Sequence, residues 1–165
     1  FSEGESEKLT AILKAWLLMG AVGQRAGRCC GSVWPVDQAP LSPDAYLSVT
    51  RDLLRESTAR IALLDQAFNH QEETRQMAGN FLKHDEKRSP VPGRVFGSAR
   101  PRKSSSLKLR TVHFADHYQI AALWCPKDSG DTPGNLQAAL RKMAGYPAKK
   151  PVAQLIENSL PDLLP

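Results

Sequence analysis

Between Gly20 and Ser32 the chain reads GAVGQRAGRCCGS, with Arg25 and Arg28 set among Gly20, Gly23, Gly27 and Gly31. Glycines let a backbone approach a ligand closely, and successive N–H groups can cradle phosphate oxygens. The two arginines would add bidentate contacts to the same anion. No G-K-[ST] follows, and a helix rather than a strand precedes the segment, so it is neither a P-loop nor a dinucleotide fingerprint. Composition alone leaves two readings open, a phosphate-binding loop or a tight glycine-rich turn.

A second cationic segment runs from Phe96 to Arg110, FGSARPRKSSSLKLR. It places Arg100, Arg102, Lys103, Lys108 and Arg110 around a run of small hydroxyls. Leu107, Leu109 and Thr111 alternate with Lys108 and Arg110, so a strand here would anchor its leucines and present its cations outward. From Lys83 to Arg110 there are nine Lys or Arg against Asp85 and Glu86, a window of +7 in a chain of net +5. The remainder therefore carries −2. Concentrated positive charge suits a polyanion partner, although a solvated basic loop has the same composition. Phe96 and Tyr118 border this window and are candidates for stacking on a base. Trp16, Trp34 and Trp124 lie in apolar stretches and are expected in the core.

His113, Asp116 and His117 offer two imidazoles and a carboxylate within five residues. One imidazole could serve as general base and the other as acid in RNA cleavage, or both could be polar residues of an exposed turn. Cys29, Cys30 and Cys125 form no C-x-x-C pair, so no zinc site is expected. An odd count with two adjacent cysteines fits a reducing compartment better than a disulfide framework.

The 165 residues, 24% of them charged, are ordinary for one globular domain or two small ones. A chain of this size buries roughly 70% of its unfolded surface without staples. Its longest apolar run, Ala15 to Val22, falls far short of the ~20 residues that cross a bilayer, so no membrane partner is expected.

The elements that would position these groups follow from periodicity. Ser6 to Met19 reads as a helix ending at Gly20, with Leu9, Ile12, Leu13, Trp16 and Leu17 on a buried face. Ser42-Pro43-Asp44 starts a second helix. The spacing of Tyr46, Val49, Leu53, Ile61, Leu64 and Phe68 carries it to about His70, with Glu56 and Arg60 as an i, i+4 pair. A further turn or two follows from Glu72 to Ala78, closed by Gly79-Asn80. Lys83 to Lys103 reads as a loop with a short extended piece at Arg94-Val95-Phe96. Ser104 to Val112 and His117 to Cys125 read as a hairpin joined by His113 to Asp116. A helix from Pro133 to Ala144 and a tail helix from Pro151 to Leu160 complete an α+β pattern.

The helix ending ILKAWLLMGAVGQRAGRCCGS, followed later by the Arg100 to Leu109 run entering HYQIAALWCP, resembles CRISPR RAMP proteins. Within that superfamily it is most similar to the C-terminal half of the large two-domain RAMP subunit of the type III-B (Cmr) effector. The resemblance spans about residue 6 to residue 145; the chain departs from the family pattern at Ala21, Gly27, Cys29 and Cys30.

The resemblance implies a ferredoxin-like (RRM-like) RAMP domain with extra helices, belonging to a larger two-domain protein. Residues 1–34 would be the end of a first RAMP domain, including the Gly-rich loop, and 35–165 the second. It implies a cytoplasmic, non-catalytic subunit that contacts guide or target single-stranded RNA and neighbouring effector subunits, without a cofactor or metal. The expected RNA contacts are Gly20, Gly23, Arg25, Arg28, Gly31, Arg100, Arg102, Lys103, Lys108 and Arg110. Two alternatives stand beside it. One is a metal-independent guide-processing endoribonuclease using His113 and His117; the other is a protein-docking module.

Overall fold

The computed structural model describes residues 3–22, 28–33, 41–88, 91, 94–97, 104–126 and 131–144. The elements are α1 (Glu3–Met19), α2 (Pro43–Leu54), β1 (Arg60–Leu63), α3 (Gln71–Arg88), β2 (Leu107–His113), β3 (Tyr118–Trp124) and α4 (Pro133–Ala144). They make an α+β fold with a three-stranded antiparallel sheet in the order β1-β3-β2. Both outer strands are antiparallel to β3, so β1 and β2 run parallel to each other with β3 between them. The connection β1-α3-β2 is thus a split β-α-β unit.

Strand alternation divides the core into two layers. On one face Ala62, Leu107, Leu109, Ile120, Ala122 and Trp124 pack with Met77, Ala78 and Phe81 of α3 and with Leu136, Ala139, Leu140 and Met143 of α4. On the other face Ile61, Leu63, Val112 and Ala121 pack with Tyr46 and Leu47 of α2 and with Met19 at the end of α1. Met19 lies in one layer and Cys29 in the other, so the described part of residues 1–34 packs on both faces of the sheet.

Several elements match the sequence pattern. The hairpin pairs His113 with Tyr118, and Phe114 N donates to His117 O at 2.8 Å, closing the expected turn. Helix α4 has the expected bounds, and Thr132 Oγ1 accepts from Asn135 N at its start. Helix α2 begins as predicted, with the Ser42 side chain accepting from Ala45 N and Pro43 in the first turn. The expected tail helix and Trp34 lie outside the described residues.

Other expectations are corrected. The helix predicted from Pro43 to His70 ends at Leu54, and Ile61 begins a buried strand segment instead of a helical stripe. Ile61-Ala62-Leu63-Leu64 is a short unbroken apolar run, which satisfies either period. The Glu56–Arg60 helical pair therefore does not form; Arg60 Nη1 donates to Ser57 O at 2.7 Å and Ala59 O at 2.9 Å.

Helix α3 is far longer than predicted. It runs through Gly79 and the first residues assigned to the basic loop, for 18 residues in all. Burial of Met77, Ala78, Phe81, Leu82 and Asp85 along one side offsets the cost of its glycine. The Glu73 carboxylate accepts from Asn69 N and His70 N, which anchors its start.

Arg94-Val95-Phe96 forms a turn, not an extended piece. Arg94 has φ +51, and Gly97 N donates to Arg94 O at 2.7 Å. Leu9, Ile12, Leu13 and Trp16 are exposed, because among the described residues it is the last turn of α1 that meets the core, through Ala15, Leu18 and Met19. The outward face expected for Arg110 is also absent; helices cover both faces of the sheet and Arg110 is 7% exposed.

One buried carboxylate ties α3 to α4. Asp85 accepts from Lys142 Nζ and from Val91 N at 3.2 Å. Asp85→Ala would leave Val91 N–H and Lys142 without this acceptor, where removal of one partner of a buried pair costs about 3 kcal/mol. Urea unfolding should register that loss, and an unchanged midpoint would show that the ion pair contributes nothing.

Candidate functional site

Helix α1 ends at Gly20, whose N–H donates to Trp16 O at 2.7 Å. A Cβ there would lie 2.2 Å from Trp16 O and 2.8 Å from Trp16 Cδ1, so glycine is required. The chain then folds back on itself. Ala21 bridges Ser32, and Val22 N donates to Gly31 O at 2.8 Å. Gly31 sits at φ +66, and a Cβ on it would fall 1.8 Å from Val22 O. The glycine-rich segment thus has a closed neck. Gly20 and Gly31 form it by backbone geometry; Gly23 and Arg25, between its two arms, lie outside the described residues.

The far arm of the neck is stitched along the free edge of β2. Cys29 N donates to Leu109 O at 3.0 Å, and Thr111 N donates to Ser32 Oγ at 3.0 Å. Thr111 Oγ1 and Thr74 Oγ1 of α3 share a buried hydrogen bond of 2.6 Å, and Thr111 Oγ1 lies 3.3 Å from Cys29 O. Cys29 adopts a left-handed φ of +57 and is 1% exposed. This polar lattice holds it there despite the cost of such a conformation for a residue with a Cβ. An edge strand that would otherwise present unpaired backbone groups is covered in the process.

The arrangement brings together some of the predicted contacts and not others. Arg28 is exposed and bridges Leu109, while Lys108 next to Leu109 is half-buried. Two cationic segments about eighty residues apart in sequence therefore meet along one strand edge. Arg100, Arg102 and Lys103 lie outside the described residues. Arg110 is used elsewhere: its Nε donates to Met19 O at 2.9 Å and its Nη1 to Leu109 O at 3.3 Å. Burial pulls its pKa below the usual guanidinium value, opposed by Cys29, Tyr46 and Cys125. Beside it Tyr46 Oη donates to Leu18 O at 3.0 Å. The last carbonyls of α1 are thus held by a cation and a phenol, as the negative end of a helix favours.

The serine run turns inward. Ser106 is fully buried with Oγ donating to Asp131 Oδ1 at 2.7 Å, and Ser105 Oγ lies 3.1 Å from Val95 O. The aromatics chosen as stacking candidates are also engaged. Phe96 packs edge-on against Phe81 at 5.1 Å, and Tyr118 stacks with His113 at 4.7 Å. Trp124 is buried as expected, whereas Trp16 is 47% exposed beside the neck. Its exposure could not be read from spacing, since an apolar stripe has the same pattern whether or not an element covers it.

The two histidines do not converge. His113 pairs with Tyr118 and Phe114 with His117 across the hairpin, which puts the imidazoles on opposite faces. His117 Nδ1 bonds Asp116 Oδ1 at 2.6 Å, its ring lies 5.3 Å from Phe114, and its Nε2 is buried without a partner. The hydrogen bond from His117 holds the exposed Asp116 carboxyl below the usual range. Such an arrangement orients one imidazole and does not supply an acid and a base to one substrate atom. Among the described residues no three His, Cys, Asp or Glu side chains come together as a metal site. No described helix is long and apolar enough to cross a membrane.

No family model matches the chain, and no curated protein or solved structure matches it either.

Two outcomes test this geometry. Gly31→Ala meets both the left-handed φ and the Val22 carbonyl, and it should lower stability by about 1–3 kcal/mol. Gly79→Ala, with open space in mid-helix, should raise it by about 0.5–1 kcal/mol. Equal unfolding midpoints for the two variants would contradict the closed neck. Burial pushes the Cys29 thiol up to about 12. As the thiolate is the reactive form, a thiol reagent applied to the native protein near pH 8 should leave buried Cys29 unmodified until unfolding, whereas the partly exposed Cys30 and Cys125 are open to it.

Proposed function

We propose that the protein is a non-catalytic, RNA-binding subunit of a CRISPR effector of the type III-B kind, holding single-stranded RNA by its phosphates. The observation that carries this reading is the pairing of the glycine-arginine loop with β2. It brings the segment that holds exposed Arg28 against the strand that carries half-buried Lys108, so the two segments whose residue types suit phosphate meet along one edge. Arg25, Arg28, Arg100, Arg102, Lys103 and Lys108 are the proposed cationic contacts. Gly20 and Gly31 give the neck its shape, and with Gly23 they are the proposed points of close approach to a backbone. Arg110 enters the reading as the residue that positions the loop, since its guanidinium already holds the end of α1.

The order β-α-β-β-α with strands β1-β3-β2 and both following helices on one face supports a ferredoxin-like RAMP domain. These are five of the six elements of the β-α-β-β-α-β arrangement. Helices α1 and α2 are the additions, and α1 delivers the glycine-rich loop to the sheet edge. Contacts to neighbouring effector subunits belong to the same reading. The opposed faces of His113 and His117 favour binding over cleavage.

The test is anisotropy of a labelled single-stranded RNA of about 20 nucleotides, titrated at several salt concentrations, with the RNA checked on a gel. Six phosphate contacts to a single strand give log K against log salt a slope near −4. Arg28→Ala and Lys108→Ala should each flatten the slope by about 0.7. A flat slope, or no binding at low salt, overturns the proposal; metal-independent cleavage would replace it with the endoribonuclease reading.

A further inference from the structure

Trp16 is, among the described residues, the one Phe, Tyr or Trp side chain in the exposed class. It projects from the last full turn of α1, one turn before the loop that the preceding reading assigns to phosphate. Its indole edge lies against Gly20, where a Cβ would come within 2.8 Å of Cδ1. Trp16 is therefore a flat, half-exposed ring at the entrance to the glycine-arginine neck. Exposed Arg28 lies on the neck's other arm, joined to Gly20 through the Ala21–Ser32 bridge.

We propose that Trp16 is a stacking platform for a base of the single-stranded RNA whose phosphates meet the loop. This inference rests on the RNA-binding reading above and adds a second kind of contact to it. Proteins that hold single strands combine a cationic track with aromatic faces, because every base has a π-face whatever the sequence. The cationic track was legible in the sequence; its expected aromatics, Phe96 and Tyr118, are packed against Phe81 and His113. Trp16 supplies the missing face. Exposed Arg28 on the facing arm suits an anionic occupant, which the RNA-binding reading makes the single strand. Leu13, half-exposed one turn earlier, extends the same floor.

Ring and apolar surface are separated by two substitutions at this surface position. Trp16→Leu keeps the apolar contact and removes the π-face; Trp16→Phe keeps a smaller ring. In the RNA titration Trp16→Leu should weaken binding about tenfold with the salt slope unchanged, since a stacking contact releases no counterions. Trp16→Phe should restore most of the loss. An oligonucleotide of abasic sites should bind wild type about tenfold more weakly than normal RNA and should not distinguish wild type from Trp16→Leu. Wild-type affinity in Trp16→Leu overturns the stacking role while leaving a steep slope to support phosphate binding. A loss in Trp16→Ala that leucine fully restores also overturns it, because an apolar side chain without a π-face is then sufficient. No RNA binding by wild type removes both proposals together.

Discussion

The Arg110 guanidinium is the junction on which the rest of this architecture depends. It rises from β2, is buried by the helices on that face, and donates to the carbonyl of Met19. A buried cation is stable only where its charge is matched, and here the negative end of α1 supplies that match together with Leu109 O. The bond fixes where α1 stops relative to the sheet. Gly20 follows at once, so the start of the glycine-rich segment is fixed too. Tyr46 adds a second donor to the same helix end, and burial raises its phenol pKa further from any ionisation that would undo this role.

From that junction the two described ends of the loop are set. Its near arm is set by α1, and its far arm is held by Cys29 and Ser32 along β2. The neck closes between them because Gly31 can take a conformation and a proximity to Val22 that no side chain allows. The strand edge gains partners for its backbone, and the loop gains a rigid base. The same bonds thus protect an edge from adventitious pairing and fix both ends of the glycine-arginine segment. Arg110 and Thr111 hold the base of the loop from within, while Arg28 remains exposed.

How much of this was legible in the sequence depends on whether local pattern or tertiary contact decides each element. The hairpin and α4 were readable because alternation and helical spacing are unambiguous there and the turns are short. Strand β1 was not, since four successive apolar residues fit either period and only pairing with β3 selects the strand. Helix α3 was cut short at Gly79 because a local propensity was weighed without the buried Phe81 and Asp85 beyond it. The glycine-arginine loop stood out by composition, but its place on β2 could not be inferred, because hydrogen bonds across some eighty residues leave no local mark.

Arg110 shows the same limit from the other side. Alternation placed it outward with Lys108, on the assumption that one face of the hairpin met water. That assumption fails whenever a helix covers the second face, and nothing in the hairpin's own residues signals the cover. Trp16 is the converse, an apolar side chain assigned to the core by spacing and left exposed by the absence of a neighbour among the described residues. The two errors are linked. Only the last turn of α1 reaches the sheet, where Arg110 and Tyr46 grip it, and the turns before it stand clear. An arginine drawn inward and a tryptophan left outward are therefore two consequences of one docking geometry. That geometry sets an exposed ring, a glycine neck and an exposed arginine in sequence along one edge of the molecule.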